Sequence, residues 1–183
     1  DSVEIRDIVA LQAEKHTPYT KEEILTDFRI IETDRAGYSR VLLVLSHQDI
    51  VHRALRLVEA MGWPLERVGF ELEGLVGWLA LAKPELPEGV VLVAELDADT
   101  TTLVAVRGQQ PYFHRSLALG ATQLTQHPAE GTAKLLAEFQ RSLETFDAEG
   151  TNLTVASIVL TGCADKFPDL KDRLHEGLDL PVT

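Results

Sequence analysis

The chain has little cysteine, few cations and no long apolar run, and each shortage removes a class of reading. Cys163 is the only cysteine among 183 residues, which excludes an internal disulfide and any zinc site built on several thiolates, and fits a reducing compartment. No stretch supplies the roughly 18 consecutive apolar residues that a membrane-spanning helix needs, and residues 1–16 are amphipathic and charged, unlike the apolar run of a signal peptide. Lysine and arginine number 17 against 29 aspartates and glutamates, and the resulting net charge of -12 repels phosphate backbones and anionic lipid. Nucleic acid and direct membrane insertion are therefore set aside. The six histidines, at 16, 47, 52, 114, 127 and 175, include no HExxH and no pair beside a carboxylate cluster, so none reads as a metal ligand. No internal repeat recurs at a fixed period. The chain starts at Asp1 and stops at Thr183, where an apolar strand is beginning, and so reads as a piece of a longer protein.

What is present is an ordinary globular balance, 45% hydrophobic and 25% charged, enough for one large domain or two small ones. Apolar spacing predicts a first helix over residues 3–16, stopped before Pro18, then strands over 26–32 and 40–45 joined by a turn at 34–37. Ser46, three residues before Asp49, looks like the start of a capping box for a helix that ends at Gly62. A short strand at 66–72 and a helix at 73–81 with Trp78 in the core precede a Pro-rich connector, 83–89, read as a domain boundary; Trp63 reads as a helix-exit packing residue. Beyond it, 90–96, 102–107 and 111–117 form a meander with a tight turn at 108–110. A helix at 133–146, a buried strand at 155–162 and a helix at 167–175 complete an α/β layer. On the third strand of the meander His114 and Arg115 must face opposite sides.

The segment from Glu95 to Thr102, ELDADTTT, crowds carboxylates and hydroxyls into a strand-to-strand turn. Such a turn could hold magnesium through Asp97 or Asp99 while threonine hydroxyls and backbone N–H groups met a phosphate. The plainer reading, favoured on spacing alone, is that aspartate and threonine are common turn formers. Cys163 follows Gly162 at a strand-to-helix turn, where a helix N-terminus lowers a thiol pKa, but a lone cysteine without a partner histidine is first a structural residue.

Residues 91–125 resemble the second phosphate-binding segment of the PilM family of type IV pilus assembly proteins. In that family an Asp-x-Gly turn precedes a Thr-Thr pair, a hairpin, an arginine and a GG-x-x-(I/L)-T stretch, which Arg115, Gly120, Leu124 and Thr125 match. Residues 4–31 look like the family's helix, IPFP segment and strand, with Thr17, Pro18, Tyr19 and Thr20 in the IPFP place. Residues 41–75 are similar to the next helix and strand, and residues 158–182 to the adenosine-side segment. The resemblance implies an actin-like ATPase (ribonuclease H-like) fold, in part. Residues 1–62 would be the inserted α+β subdomain that PilM shares with FtsA, 63–83 a return segment of the first lobe, and 90–183 a second lobe without its small covering subdomain.

The departures shape the expected function. Aligning the turn on its Thr-Thr pair (Thr100 and Thr101 lie in this run) puts Glu95 where the family has an Asp and Asp97 where it has the glycine that lets backbone approach phosphate. A carboxylate there repels phosphate. Gly162–Cys163 and Gly120–Ala121 replace paired glycines, the first phosphate loop is not in the chain, and only residues 126–132 stand where the covering subdomain would be. The resemblance thus implies a scaffold with a degraded nucleotide site. It would be cytoplasmic, peripheral to the bacterial inner membrane, non-enzymatic, without cofactor, and bound to a peptide of a PilN-like membrane protein, self-association being open. ATP and magnesium enter only if the full-length site is intact. Thr17, Pro18 and Tyr19 are the candidate partner contact. A cytoplasmic type II secretion L-type domain would change the machine and not the role. The alternatives are a working actin-like ATPase in the full-length protein and a ribonuclease H-like nuclease with Asp97, Asp99 and Glu138 as metal ligands, the latter opposed by the net charge.

Overall fold

The β-branched and apolar runs either side of residues 34–37 pair as an antiparallel ribbon, β1 (Ile24–Thr33) with β2 (Ser39–His47), in the computed structural model, which describes residues 5, 8, 9, 17–82, 89–148 and 153–183. Asp34 closes the turn: its Oδ1 accepts the N–H groups of Ala36 and Tyr38, each at 2.9 Å, and Gly37 supplies a φ of 89° that a side chain would resist. Ile5, Ile8 and Val9 are helical, while the rest of the helix expected over residues 3–16 lies outside the described residues, as does the connector at 83–88.

The following helix, α1 (Gln48–Ala60), is capped one residue later than expected. Ser46 is the penultimate residue of β2, and it is His47 Nδ1 that accepts the Asp49 N–H, at 3.2 Å. A deprotonated imidazole nitrogen does the work of a cap oxygen, which composition rules for caps do not anticipate. His47→Ala is expected to destabilise α1 by about 1 kcal/mol, and His47→Asn to restore most of it, as read by thermal melts in far-ultraviolet circular dichroism. Residues 63–70 carry no strand, against the expectation of one at 66–72, and Leu72 is already helical. A strand exists only against a neighbour, and none of the described residues pairs there.

Contacts divide the chain into two compact units, Asp1–Gly69 and Phe70–Thr183. The second opens with α2 (Glu71–Ala82), which takes in all of the expected helix at 73–81. It buries Leu72, Leu75 and Leu79, whereas Trp78 is 37% exposed and Trp63, in the first unit, 67% exposed. Both tryptophans correct the packing roles expected from sequence: at helical spacing the buried stripe runs through the leucines and leaves position 78 at its edge.

The sheet of the second unit follows the expected meander: β3 (Val90–Leu96), β4 (Thr101–Arg107) and β5 (Gln110–Leu117) run antiparallel in sequence, the last two joined through Gly108 at φ 61°. Two helices, α3 (Ala121–Gln126) and α4 (Pro128–Ala148), then carry the chain back so that β6 (Val155–Gly162) lies parallel to β3, giving the order β5-β4-β3-β6. Pro128 opens α4 five residues before the expected start, because a proline fits the first helical turn, where its missing N–H has no partner to lose. A single-turn 3₁₀ segment (Ala164–Lys166) and α5 (Leu170–Leu178) follow, and Val182 bridges in parallel to Ile158 at the outer edge.

Side chains alternate across β3 and sort the two faces. Leu92, Ala94 and Leu96 join Leu103, Phe113, Phe139 and Leu174 in one cluster beneath α4 and α5. Val91 and Val93 point the other way with Val104, across the register that pairs Val93 with Val104, and all three are buried. Thr102 on that second face hydrogen-bonds Glu71, which places α2 over it. No helix among the described residues is long and apolar enough to cross a membrane.

Candidate functional site

The carboxyl end of β3 is where the sequence-predicted residues collect. Beyond Leu96 the chain turns through residues 97–100, with Asp97 N–H donating to Thr100 O at 2.9 Å. Ala98 N–H donates to Asp97 Oδ1 at 2.7 Å, so the aspartate occupies a donor of its own turn. The carbonyls of Asp97 and Ala98 accept the N–H groups of Ala121 and Thr122, both at 2.8 Å, which fixes the turn to the start of α3. Thr101 Oγ1 donates to Leu119 O at 2.7 Å and completes the attachment from a buried position.

Two glycines make this closeness possible. A Cβ on Gly120 would lie 2.6 Å from Asp97 O, Ala98 O and Thr100 N, and a Cβ on Gly162, whose φ is 73°, would lie 2.4 Å from Leu96 O. Cys163 N–H donates to that same Leu96 O at 2.7 Å, and its half-buried sulfur sits 3.7 Å from Lys166 Nζ. Glu95, Asp97, Asp99, Thr100, Thr101, Gly120, Gly162 and Cys163 thus surround the adjoining ends of β3 and β6. Of each expected glycine pair, the member retained is the one whose Cβ has no room.

The electrostatics are unfavourable to an anion. Glu95 is pushed above the usual carboxylate range first by burial, then by the charge of Glu71 and a hydrogen bond with it, then by Asp97. Glu71 in turn accepts from Thr102 Oγ1 at 3.0 Å. His114, on the same face, is held below its ordinary value by burial, against an opposing pull from Glu71; its Nε2 is buried without a hydrogen-bond partner and its ring meets Phe70 edge-on at 5.8 Å. Glu71 was invisible as a site residue in the sequence, because only the return of α2 over the sheet brings it to Glu95.

Arg115 points to the opposite face, as alternation requires, where its Nη2 meets Glu138 Oε2 at 2.8 Å and its Nη1 meets Ser142 Oγ at 3.2 Å. Arg141 also holds Glu138. The trio expected of a nuclease is therefore not assembled: Glu138 is engaged with two arginines on the α4 side, and no group of three His, Cys, Asp or Glu among the described residues is placed to hold a metal. Thr17, Pro18 and Tyr19 belong to the first unit, where Thr17 Oγ1 accepts the Tyr19 N–H at 3.2 Å and the half-exposed Tyr19 ring stands edge-on to His47 at 5.0 Å.

A mixed sheet with a three-strand meander, a parallel fourth strand and helices on both faces is the α/β architecture of the actin-like ATPase fold. Among solved structures, the chain is similar to one described as the PilM-PilN type IV pilus biogenesis complex, with a TM-score of 0.81 at 22% identity over 98% of this chain. A protein of actin-like ATPase fold and unknown function from Bacteroides thetaiotaomicron matches with a TM-score of 0.54 at 11% identity over 94% of this chain. The chain spans 61% and 58% of the lengths of those two structures. The sequence matches no protein-family model and no curated protein.

Proposed function

We propose that the chain is part of a scaffold of the inner-membrane platform of a type IV pilus or a related secretion machine. It sits at the cytoplasmic face, binds a peptide of a PilN-like membrane protein, and carries a nucleotide site that no longer binds nucleotide. The observation that carries the second half of this reading is the Asp97 carboxylate accepting the Ala98 N–H. A phosphate turn works by offering backbone N–H groups to the anion. Here one such donor is satisfied by a carboxylate of the turn itself, and two more, from α3, are spent on the turn's carbonyls. The likeness to PilM in a PilM-PilN complex supports the first half.

The test is isothermal titration of magnesium-ATP into this chain, into its full-length parent and into the Asp97→Gly variant. No heat is expected from the chain or the parent. Micromolar binding by the parent would make the protein a nucleotide-dependent switch and end the scaffold reading. A peptide from the amino-terminal end of a PilN-like protein, titrated into the parent, should bind without nucleotide.

A further inference from the structure

In the first unit, α1 carries two apolar stripes at helical spacing. Val51, Leu55 and Val58 form one and are half-buried, and no residue of the helix is fully buried. Ile50, Ala54, Leu57 and Met61 form the other and are exposed, Ile50 at 66%, Leu57 at 64% and Met61 at 48%. This second stripe runs about three turns, roughly 16 Å along the axis. It ends beside the exposed Trp63, whose N–H donates to Val58 O at 3.4 Å. Single exposed apolar side chains are ordinary on a protein surface, whereas a continuous row of them marks a contact surface.

The charges beside the stripe say what that surface takes. At the helical repeat Arg53 and Arg56 lie on one flank of it, and Glu59 falls on the opposite side of the helix. Asp49, in the first turn, stands 3.8 Å from His47 Nδ1. Neither arginine has an ion-pair partner among the described residues, in a chain that carries 29 carboxylates and a net charge of -12. We propose that the exposed face of α1 docks an acidic amphipathic helix of a partner protein, whose apolar side chains lie on Ile50, Leu57 and Met61 and whose carboxylates pair with Arg53 and Arg56. A second copy of this chain does not suit the face in the same way. An antiparallel α1 pair that seats Ile50 on Met61 and Ala54 on Leu57 sets Arg53 of each copy beside Arg56 of the other, like charge against like. The proposal goes beyond the scaffold reading and does not rest on it.

The overall charge sharpens the test. A chain at net -12 attracts a cationic peptide over an anionic one, and the two arginines ask for the reverse. Two labelled helical peptides of about four turns serve as probes. Both carry a leucine stripe, and they differ only in having glutamates or lysines beside it. Fluorescence anisotropy with the intact chain is expected to show about tenfold tighter binding of the glutamate peptide. Arg53→Glu combined with Arg56→Glu should reverse that preference, and Leu57→Asp should abolish binding of both peptides. These positions are exposed, so the variants are expected to keep the fold, as circular dichroism checks; Ile50→Asp serves if Leu57→Asp does not. Preference of the wild type for the lysine peptide, binding of neither peptide, or glutamate-peptide binding indifferent to Leu57→Asp overturns the proposal. So does self-association in sedimentation velocity that Leu57→Asp abolishes, because the face would then belong to a second copy.

Discussion

Gly162→Ala is expected to destabilise the Phe70–Thr183 unit by about 3 kcal/mol. About 1 to 2 kcal/mol comes from forcing a side chain into the left-handed region, and the rest from moving a Cβ off a backbone carbonyl. The numbers that decide this are a φ of 73° and a distance of 2.4 Å to Leu96 O, a backbone atom that cannot swing away as a side chain would. Displacing it breaks the bond from Cys163 N–H and pulls on the end of β3, where the Asp97 turn begins. Gly108 is the control. Its φ is 61°, yet a Cβ there meets nothing within 4 Å, so Gly108→Ala should cost only the conformational part, about 1 kcal/mol. Urea denaturation of the two variants measures the difference directly. Equal losses would mean that the crowding at Leu96 is relieved by a small backbone shift.

That glycine also shows where sequence reading reaches its end. The order of strands 90–96, 102–107, 111–117 and 155–162 was legible, because runs such as VVLVAEL are apolar at every position but Glu95 and read as strands buried on both faces. The turn at residues 97–100 was legible too, from its Asp and Thr content. What pairs of residues do across the chain was not. Gly120 and Gly162 read as remnants of broken glycine pairs, when each is the contact through which a distant segment touches the β3 end. Glu71 lay inside an expected strand, and its meeting with Glu95 and Thr102 exists only once α2 has folded back. The failed strand at 66–72 has the same origin in reverse: local β-propensity without a partner strand among the described residues yields no ladder. The helix cap went to His47 in place of Ser46 because the choice turns on one imidazole tautomer and not on composition.

The same limit sets the contrast expected between two aromatic truncations. Sequence spacing ranks Trp78 as core, and the larger side chain would make Trp78→Ala the worse loss. The structure reverses the order. Phe139 is 1% exposed and belongs, with Leu135 and Phe146 at helical spacing along α4, to the cluster that includes Leu92, Leu103 and Leu174. Its removal leaves a cavity walled by a sheet and two helices, none of which can collapse into it alone, so Phe139→Ala is expected to cost about 4 kcal/mol. Trp78, 37% exposed, gives up only the part of its area that α2 turns inward, and the site can fill with solvent, so its loss is expected at about half that or less. Chemical denaturation of the two variants decides between the orders. A larger loss at Trp78 would show that this face of α2 is covered in solution by something beyond the contacts seen here, and would move the search for a partner surface to that helix.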